Sequence, residues 1–249
     1  MWAETRPRRG HHAAPPRRAR ARPAPRGRLS PVLFDFAALA STDVGKLLRS
    51  TVVPRPIAWV TTRHADGRAN AAPFSYFNLV CSDPPLLAFG VAPRGGGGKD
   101  TGENIRRDGE FVVNLVSQAL AERMNATSAE VGPEVDELAA NGLTPLPCAH
   151  VAAPRIGESP ASLECRVETL LEPEGGALIV IGRVLALHLR DEAVLDAERC
   201  YVDTPALDLI ARMHGRGWYA HSRDLFEIGR PAGWRHAGDG SAGGGEKRG

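Results

Sequence analysis

The chain lacks both long apolar segments and paired cysteine motifs. No apolar run among its 249 residues reaches about 18, the length that a helix needs to cross a bilayer. Its four cysteines form no Cys-x-x-Cys pair and match no zinc-binding spacing. We therefore expect free thiols, a reducing cytoplasmic environment, no membrane association and no bound metal.

The signatures of common hydrolases and nucleotide-binding loops are also absent. The chain contains no Gly-x-Ser-x-Gly and no His-Glu-x-x-His motif. The glycine run 95–98 departs from the Walker pattern, because residue 93 is proline and Asp100 follows Lys99. It departs from the dinucleotide fingerprint too, which requires glycine at position 100. The remaining interpretations are an anion-binding loop before a helix N-terminus at Asp100–Thr101, or a surface loop without a ligand.

Charge is distributed unevenly along the chain. Residues 1–30 carry nine arginines and one acid, a formal charge of +8, so the rest sums to −6 within the total of +2. A mildly acidic body argues against nucleic-acid binding by the folded part. The segment 1–30 has no hydrophobic periodicity, and residues 231–249 contain seven glycines. We predict a disordered tail over 1–30, one domain over 31–230 and a flexible tail over 231–249.

Within the body, strand patterns outnumber helix patterns. Strands are predicted over 51–62, 70–80, 86–91, 111–116, 162–172 and 177–190, and Asp66-Gly67 is a hairpin signal. Short helices are predicted over 44–48, from 100 or 101 to 107, from 117 to 127 and over 134–140. Because helices do not alternate with strands, we predict a mainly β chain that forms a closed antiparallel barrel.

Residues 54–104 differ in composition from an ordinary core, because small and hydroxylated residues replace bulky apolar ones. The second strand of this block carries the candidates for contact with a flat aromatic ligand: Asn70, Ala71, Ala72, Pro73, Phe74 and Ser75. The alternative is an ordinary edge strand with Pro73 at a bulge, and composition supports the two interpretations equally. Thr61 and Thr62 become candidates because Asn70 lies across the predicted hairpin.

The order and spacing of several motifs resemble the flavin reductase-like family of FMN-binding split β-barrels. The motifs are Arg-Pro-Ile-Ala-Trp-Val from residue 55, Asn-x-Ala-Pro-Phe-Ser-Tyr-Phe from 70, Asp-Pro-Pro from 83, Lys-Asp-Thr-x-x-Asn from 99 and Phe-Val-Val-Asn-Leu from 111. Ala-Arg-Met-His-Gly-x-Gly-x-Tyr from residue 211 resembles the closing motif of that family. The similarity extends from about residue 34 to residue 231.

This resemblance implies a Greek-key split barrel that binds FMN, with FAD as an alternative, and forms a homodimer with the flavin near the subunit interface. By analogy, residues 70–75 line the isoalloxazine ring. The ribityl–phosphate end would contact Thr61, Thr62, Lys99, Asp100 and Thr101. Asn104 would support that loop. No catalytic side chain is assigned, because hydride transfer is chemistry of the cofactors themselves.

The predicted function is that of a flavin reductase. It would transfer a hydride from NADH or NADPH to FMN and supply reduced flavin to a partner such as a monooxygenase. The alternative is an FMN-bound electron carrier, similar to flavoredoxin, with little nicotinamide turnover. The sequence does not separate the two, because no dinucleotide fold is visible in it.

Overall fold

The computed structural model describes residues 31–93, 100–129, 131–132 and 134–229. The predictions for the two tails, for the glycine run 95–98 and for Lys99 therefore concern residues outside the described segments. The chain divides into two compact units, residues 1–40 and 41–249. In the first unit, the Asp35 carboxylate accepts a hydrogen bond from the Ala37 N–H and caps a short 3-10 turn, Phe36–Ala38.

The second unit consists mainly of antiparallel strands, as the sequence predicted. Its α-helices are α1 (Ser41–Thr51), α2 (Asp100–Asp108), α3 (Ala121–Ala126) and α4 (Glu137–Ala140). Its strands are β1 (Ala58–Arg63), β2 (Ala69–Phe74), β3 (Phe77–Ser82), β4 (Pro85–Val91), β5 (Glu110–Asn114), β6 (Pro145–Leu146), β7 (Arg155–Ile156), β8 (Ala161–Leu171), β9 (Leu178–Leu189), β10 (Val194–Asp196), β11 (Tyr201–Val202), β12 (Ile210–Arg212) and β13 (Tyr219–His221). Among the described residues, every helix falls short of the length and apolar character that a bilayer crossing requires.

Seven strands form one antiparallel sheet in the order β2-β1-β5-β8-β9-β4-β3. The predicted hairpin joins β1 to β2, and Gly67 takes a φ of 91°, which favours glycine. The two end strands, β2 and β3, are consecutive in the chain. The rings of Phe74 on β2 and Phe89 on β4 lie 5.3 Å apart, so the sheet curls until its two ends approach each other. The result is a split barrel.

The two faces of the sheet bury separate apolar clusters. The inner cluster fills the barrel and includes Val60, Phe89 and Phe111, and Ile105 of α2 joins it. Gly182 on β9 gives the Phe111 ring its space, because a Cβ at residue 182 would overlap that ring. The outer cluster joins Trp59 to α3, α4 and β7. Helix α2 is therefore fixed against the inside of the barrel, whereas α3 and α4 cover its outside.

Several element boundaries differ from the sequence predictions. Helix α1 extends to Thr51, and β1 begins only at Ala58, because Pro54 and Pro56 have no N–H for strand pairing. The strand predicted over 70–80 is two strands, β2 and β3, separated by a bend at Ser75 and Tyr76. The helix predicted from 134 begins at Glu137, where the Asp136 carboxylate caps it by accepting a hydrogen bond from the Ala139 N–H.

Candidate functional site

A cleft opens beside β2. It lies between that strand, the first residues of α2, the loop after α3 and the start of α4. Its lining consists of Asn70, Ala72, Pro73, Asp100, Thr101, Thr127, Ser128, Ala129, Val131 and Glu137. A second cleft shares Pro73 and Ser128 with it, and continues along Phe74 and Ser75. Together the two clefts form an elongated groove along β2, the strand whose residues were predicted to contact a ligand.

Four buried polar side chains connect β1, β2 and α2 at one end of this groove. The Asn70 amide donates to Thr62 Oγ1 at 3.1 Å and to Thr101 Oγ1 at 3.0 Å. The Asn104 amide donates to the same Thr62 oxygen at 3.0 Å. These bonds fix the N-terminus of α2 beside β2. Because the free N–H groups and the dipole of a helix favour anions at its N-terminus, this end of the groove suits a phosphate.

Thr61 faces away from the groove, although it is adjacent to Thr62. Successive side chains of a strand point to opposite faces, so Thr61 shares the outer face with Trp59. Its hydroxyl donates to the Pro154 carbonyl at 2.6 Å and accepts from the Asn114 amide at 3.1 Å. The structure therefore assigns Thr61 to the anchoring of the loop before β7 rather than to the lining of the groove.

The open edge of β2 is covered by two carboxylates. The Ala71 N–H donates to Glu137 Oε2 at 2.7 Å, and the Ala69 N–H donates to Asp136 Oδ2 at 3.4 Å. Pro73, the next residue on this edge, has no N–H. The Ala71 amide, predicted to face a flavin, is thus already bonded to Glu137, and the Ala71 side chain is buried in the outer cluster. On β2, the groove surface is formed instead by Asn70, Ala72 and the residues after Ala72.

A cationic corner lies at the far end of the groove. Arg212 lines the second cleft, and its guanidinium lies 4.7 Å from the centre of the Tyr219 ring. Among the described residues, no carboxylate is within ion-pair distance of Arg212. Arg55 is buried nearby and donates to the carbonyls of Arg49, Val52 and Met213. Burial, and then repulsion from Arg212 and Arg49, lower the pKa of the Arg55 guanidinium.

The structure brings most of the predicted site residues together. Those that line the groove are Asn70, Ala72, Pro73, Phe74, Ser75, Asp100 and Thr101. Thr62 and Asn104 lie behind them and hold Asn70 and α2 in place. Thr61 and Ala71 face the other side of the sheet, and Lys99 lies outside the described residues.

Sequence reasoning missed one wall of the groove. Thr127 and Ser128 follow α3, and Glu137 begins α4. Their short polar segments carry no motif, so no signal in the chain pointed to them. Arg212 and Tyr219 do belong to the closing motif noted in the sequence, and their place in that motif could have indicated a role in the site.

An antiparallel split barrel with a groove between its second strand and a helix N-terminus defines a class of flavin-binding folds. Residues 48–205 match the model of the flavin reductase like domain, and the chain belongs to that family. An uncharacterized protein of Deinococcus radiodurans is 48% identical over 202 residues, which cover 79% of this chain and 88% of that protein.

Two solved structures share the fold over most of their length. Pseudomonas fluorescens 2-nitrobenzoate 2-nitroreductase NbaA superposes with a TM-score of 0.75 at 30% identity, covering 83% of this chain and 100% of the other. Nitrilotriacetate monooxygenase component B from Bacillus cereus gives a TM-score of 0.75 at 29% identity, covering 80% and 99%. The predictions of a split barrel and of the flavin reductase-like family are confirmed.

Proposed function

We propose that this protein is an NAD(P)H-dependent flavin reductase that binds FMN in the groove beside β2. The observation that carries the proposal is the Thr62–Asn70–Thr101–Asn104 network, which fixes a helix N-terminus beside a strand of small residues. When bound, the flavin supplies the redox chemistry by accepting a hydride from a nicotinamide. The protein has to hold and orient the two rings, which requires no acid–base pair.

The residues present fit the two ends of FMN. The phosphate end would lie against the α2 N-terminus and Thr101, with Lys99 adding a positive charge. The ring would lie along Ala72, Pro73 and Ser75, whose small side chains leave room for it. Asp100 is the residue that opposes a phosphate by charge, although the first-turn amides of α2 that follow it favour one. Because these amides favour an anion, we propose that the ligand is FMN rather than riboflavin, which lacks the phosphate.

The test compares FMN with riboflavin, which lacks the phosphate. Lys99→Ala should weaken FMN about tenfold or more and leave riboflavin nearly unchanged, because a charge-assisted hydrogen bond contributes roughly 1.5–3 kcal/mol. Flavin fluorescence titration measures both affinities. Lys46→Ala, on the exposed surface of α1, is the matched control. Equal weakening of both ligands by Lys99→Ala would contradict the proposal that Lys99 contacts the phosphate.

Steady-state oxidation of NADH and NADPH in the presence of FMN separates the reductase from the electron carrier. Fast turnover supports the reductase. Slow turnover of a protein that is rapidly photoreduced would support the carrier instead. Because component B of nitrilotriacetate monooxygenase shares 29% identity and nearly its whole length with this fold, we propose an oxygenase as the consumer of the reduced flavin.

A second candidate function is direct reduction of an aromatic acid by the bound flavin. Arg212 favours it, because this cation lies beside Tyr219 in the groove without a carboxylate partner among the described residues. The nitroreductase at 30% identity is named for 2-nitrobenzoate, an aromatic carboxylate. Arg212→Gln should then raise the KM for nitrobenzoate more than that for nitrobenzene, which carries no charge. Equal effects on the two substrates would exclude a carboxylate contact.

We also propose a homodimer in a reducing cytoplasm, where the four cysteines stay free. The sequence offers residues 119–124 and the segment around 213–219 as candidates for the subunit contact, but Leu120 and Met124 are buried within the chain. The exposed apolar side chains of Leu79 and Val80 on β3 are better candidates. Light scattering should give about twice 26.6 kDa, and Leu79→Lys should shift the mass toward the monomer.

A further inference from the structure

Three potential metal ligands converge on the outer face of the barrel, on the opposite side of the sheet from the Thr62 network. They are the thiol of Cys148, the carboxylate of Glu164 and the imidazole of His188, and their ligand atoms all lie within 4.8 Å of one another. Glu164 and His188 belong to the neighbouring strands β8 and β9, and both side chains extend from the same face. Cys148 comes from the loop between β6 and β7.

Two of these ligands are already held in place by the protein. Glu164 is completely buried, and its two oxygens accept hydrogen bonds from the N–H groups of Ala149 at 2.9 Å and His150 at 2.6 Å. His188 Nε2 lies 2.6 Å from Glu164 Oε1. The His188 side chain keeps 31% of its exposure, so an ion has a path from solvent. The group is therefore ordered before any ion binds, and it is accessible.

The ligand types and their spacing fit zinc. Zinc binds thiolate, imidazole and carboxylate in tetrahedral sites, and three protein ligands leave a fourth position for water. Two ligand atoms on such an ion are roughly 3.3 Å apart at bond lengths near 2.0 Å. The His188 ring thus has to withdraw from Glu164 by less than about 1 Å, whereas Glu164 Oε2 can keep its bond to the His150 N–H.

We propose that Cys148, Glu164 and His188 form a zinc site that attaches the 148–154 loop to strands β8 and β9. The site is separate from the proposed flavin site, because the Thr62 network lies on the other side of the sheet and none of the three residues lines the groove. Its expected effect is on stability, since an ion that binds only the folded chain raises the melting temperature. Binding of zinc requires the Cys148 thiol to release its proton to solvent.

Cobalt(II) tests the site directly, because a cobalt–thiolate bond gives a charge-transfer absorption in the near ultraviolet. The full-length chain, freed of metal with a chelator and without flavin, should develop this band with one equivalent of cobalt, and zinc should displace it. Cys148→Ser should abolish the band. Cys200→Ser, which removes an exposed cysteine outside the site, should leave it unchanged. A band that survives Cys148→Ser, or the absence of any band in the wild type, would overturn the proposal.

Thermal unfolding provides a second readout. Zinc should raise the melting temperature of the wild type and of His221→Gln, in which an exposed histidine on β13 is replaced. The same zinc concentration should leave Cys148→Ser and His188→Gln at their metal-free values. These two variants keep Glu164, which the loop amides need, so a folded protein is available for the comparison. An equal zinc effect in all four proteins would indicate adventitious binding and reject the site.

Discussion

Thr61 and Thr62 are neighbours of identical chemistry on β1, yet they belong to two different polar networks. Thr62 lies on the inner side, where Asn70 and Asn104 donate to its hydroxyl under the N-terminus of α2. Thr61 lies on the outer side with Asn114, and holds the loop that precedes β7. We call these the inner network and the outer network. The inner one borders the groove, and the outer one fastens a loop.

The difference follows from the type of backbone that each network supports. The outer network faces the 148–154 loop and the two-residue strand β7 that follows it, so their buried N–H groups need side-chain partners. Asn114 and Glu164 accept from three of them, at Ile156, Ala149 and His150. The inner network faces a helix that satisfies its own backbone beyond the first turn. Its side chains are thus left to position the first turn for a ligand.

The largest expected effect is the loss of Asn114. Its amide group donates to the Trp59 carbonyl and to Thr61, and accepts from the Ile156 N–H and the Ser162 hydroxyl. Asn114→Ala should lower the free energy of unfolding by about 3 kcal/mol, because several buried groups lose their partners at once.

Urea denaturation measures the effect of Asn114→Ala, with the exposed Asn78→Ala on β3 as the control. If the outer network does not contribute to the groove, the folded Asn114→Ala variant should bind FMN with an affinity within about twofold of wild type. A large loss of affinity with little loss of stability would mean that the outer network, too, belongs to the site.

The fold was predictable from the sequence because the patterns that determine it are local and recur along the chain. Alternating strands, the Asp66-Gly67 turn and the spacing of the motifs indicated a split barrel. The groove was predictable where a motif lies on a strand, as for Asn70 and Pro73, or at a helix start, as for Thr101. The side of the sheet that Thr61 faces could not be predicted, because it depends on the register of β1 against β2 and β5. The cluster of Cys148, Glu164 and His188 could not be predicted either, because its members come together only after β8 and β9 pair.

An effect of intermediate size is expected when Thr61 or Thr62 is replaced by valine, which keeps the shape of the side chain and removes the hydroxyl. Thr62→Val should weaken FMN about fivefold, roughly 1 kcal/mol, because Asn70 and Asn104 lose the acceptor that orients them. Thr61→Val should leave FMN affinity unchanged and lower stability by about 1–2 kcal/mol. Flavin titration and urea denaturation of the same two proteins give both quantities. If the two variants behaved alike in both measurements, the division into inner and outer networks would be wrong.

The smallest effect concerns Glu158, which follows β7 at the border of the outer network. Burial alone would raise the pKa of its carboxyl, but hydrogen bonds from the N–H and the hydroxyl of Thr144 outweigh burial and hold that pKa below its usual value. A carboxylate with a lowered pKa stabilises the fold above its unfolded value of about 4.3, and this contribution is lost as the pH falls through the folded pKa. Glu158→Gln should therefore be slightly less stable than wild type at pH 7, and the difference should shrink below about pH 4.3. Urea denaturation across this range, with the exposed Glu174→Gln as the control, should show a pH-dependent difference for Glu158 alone. A difference that stayed constant with pH would mean that the Thr144 contacts do not depend on the carboxylate charge.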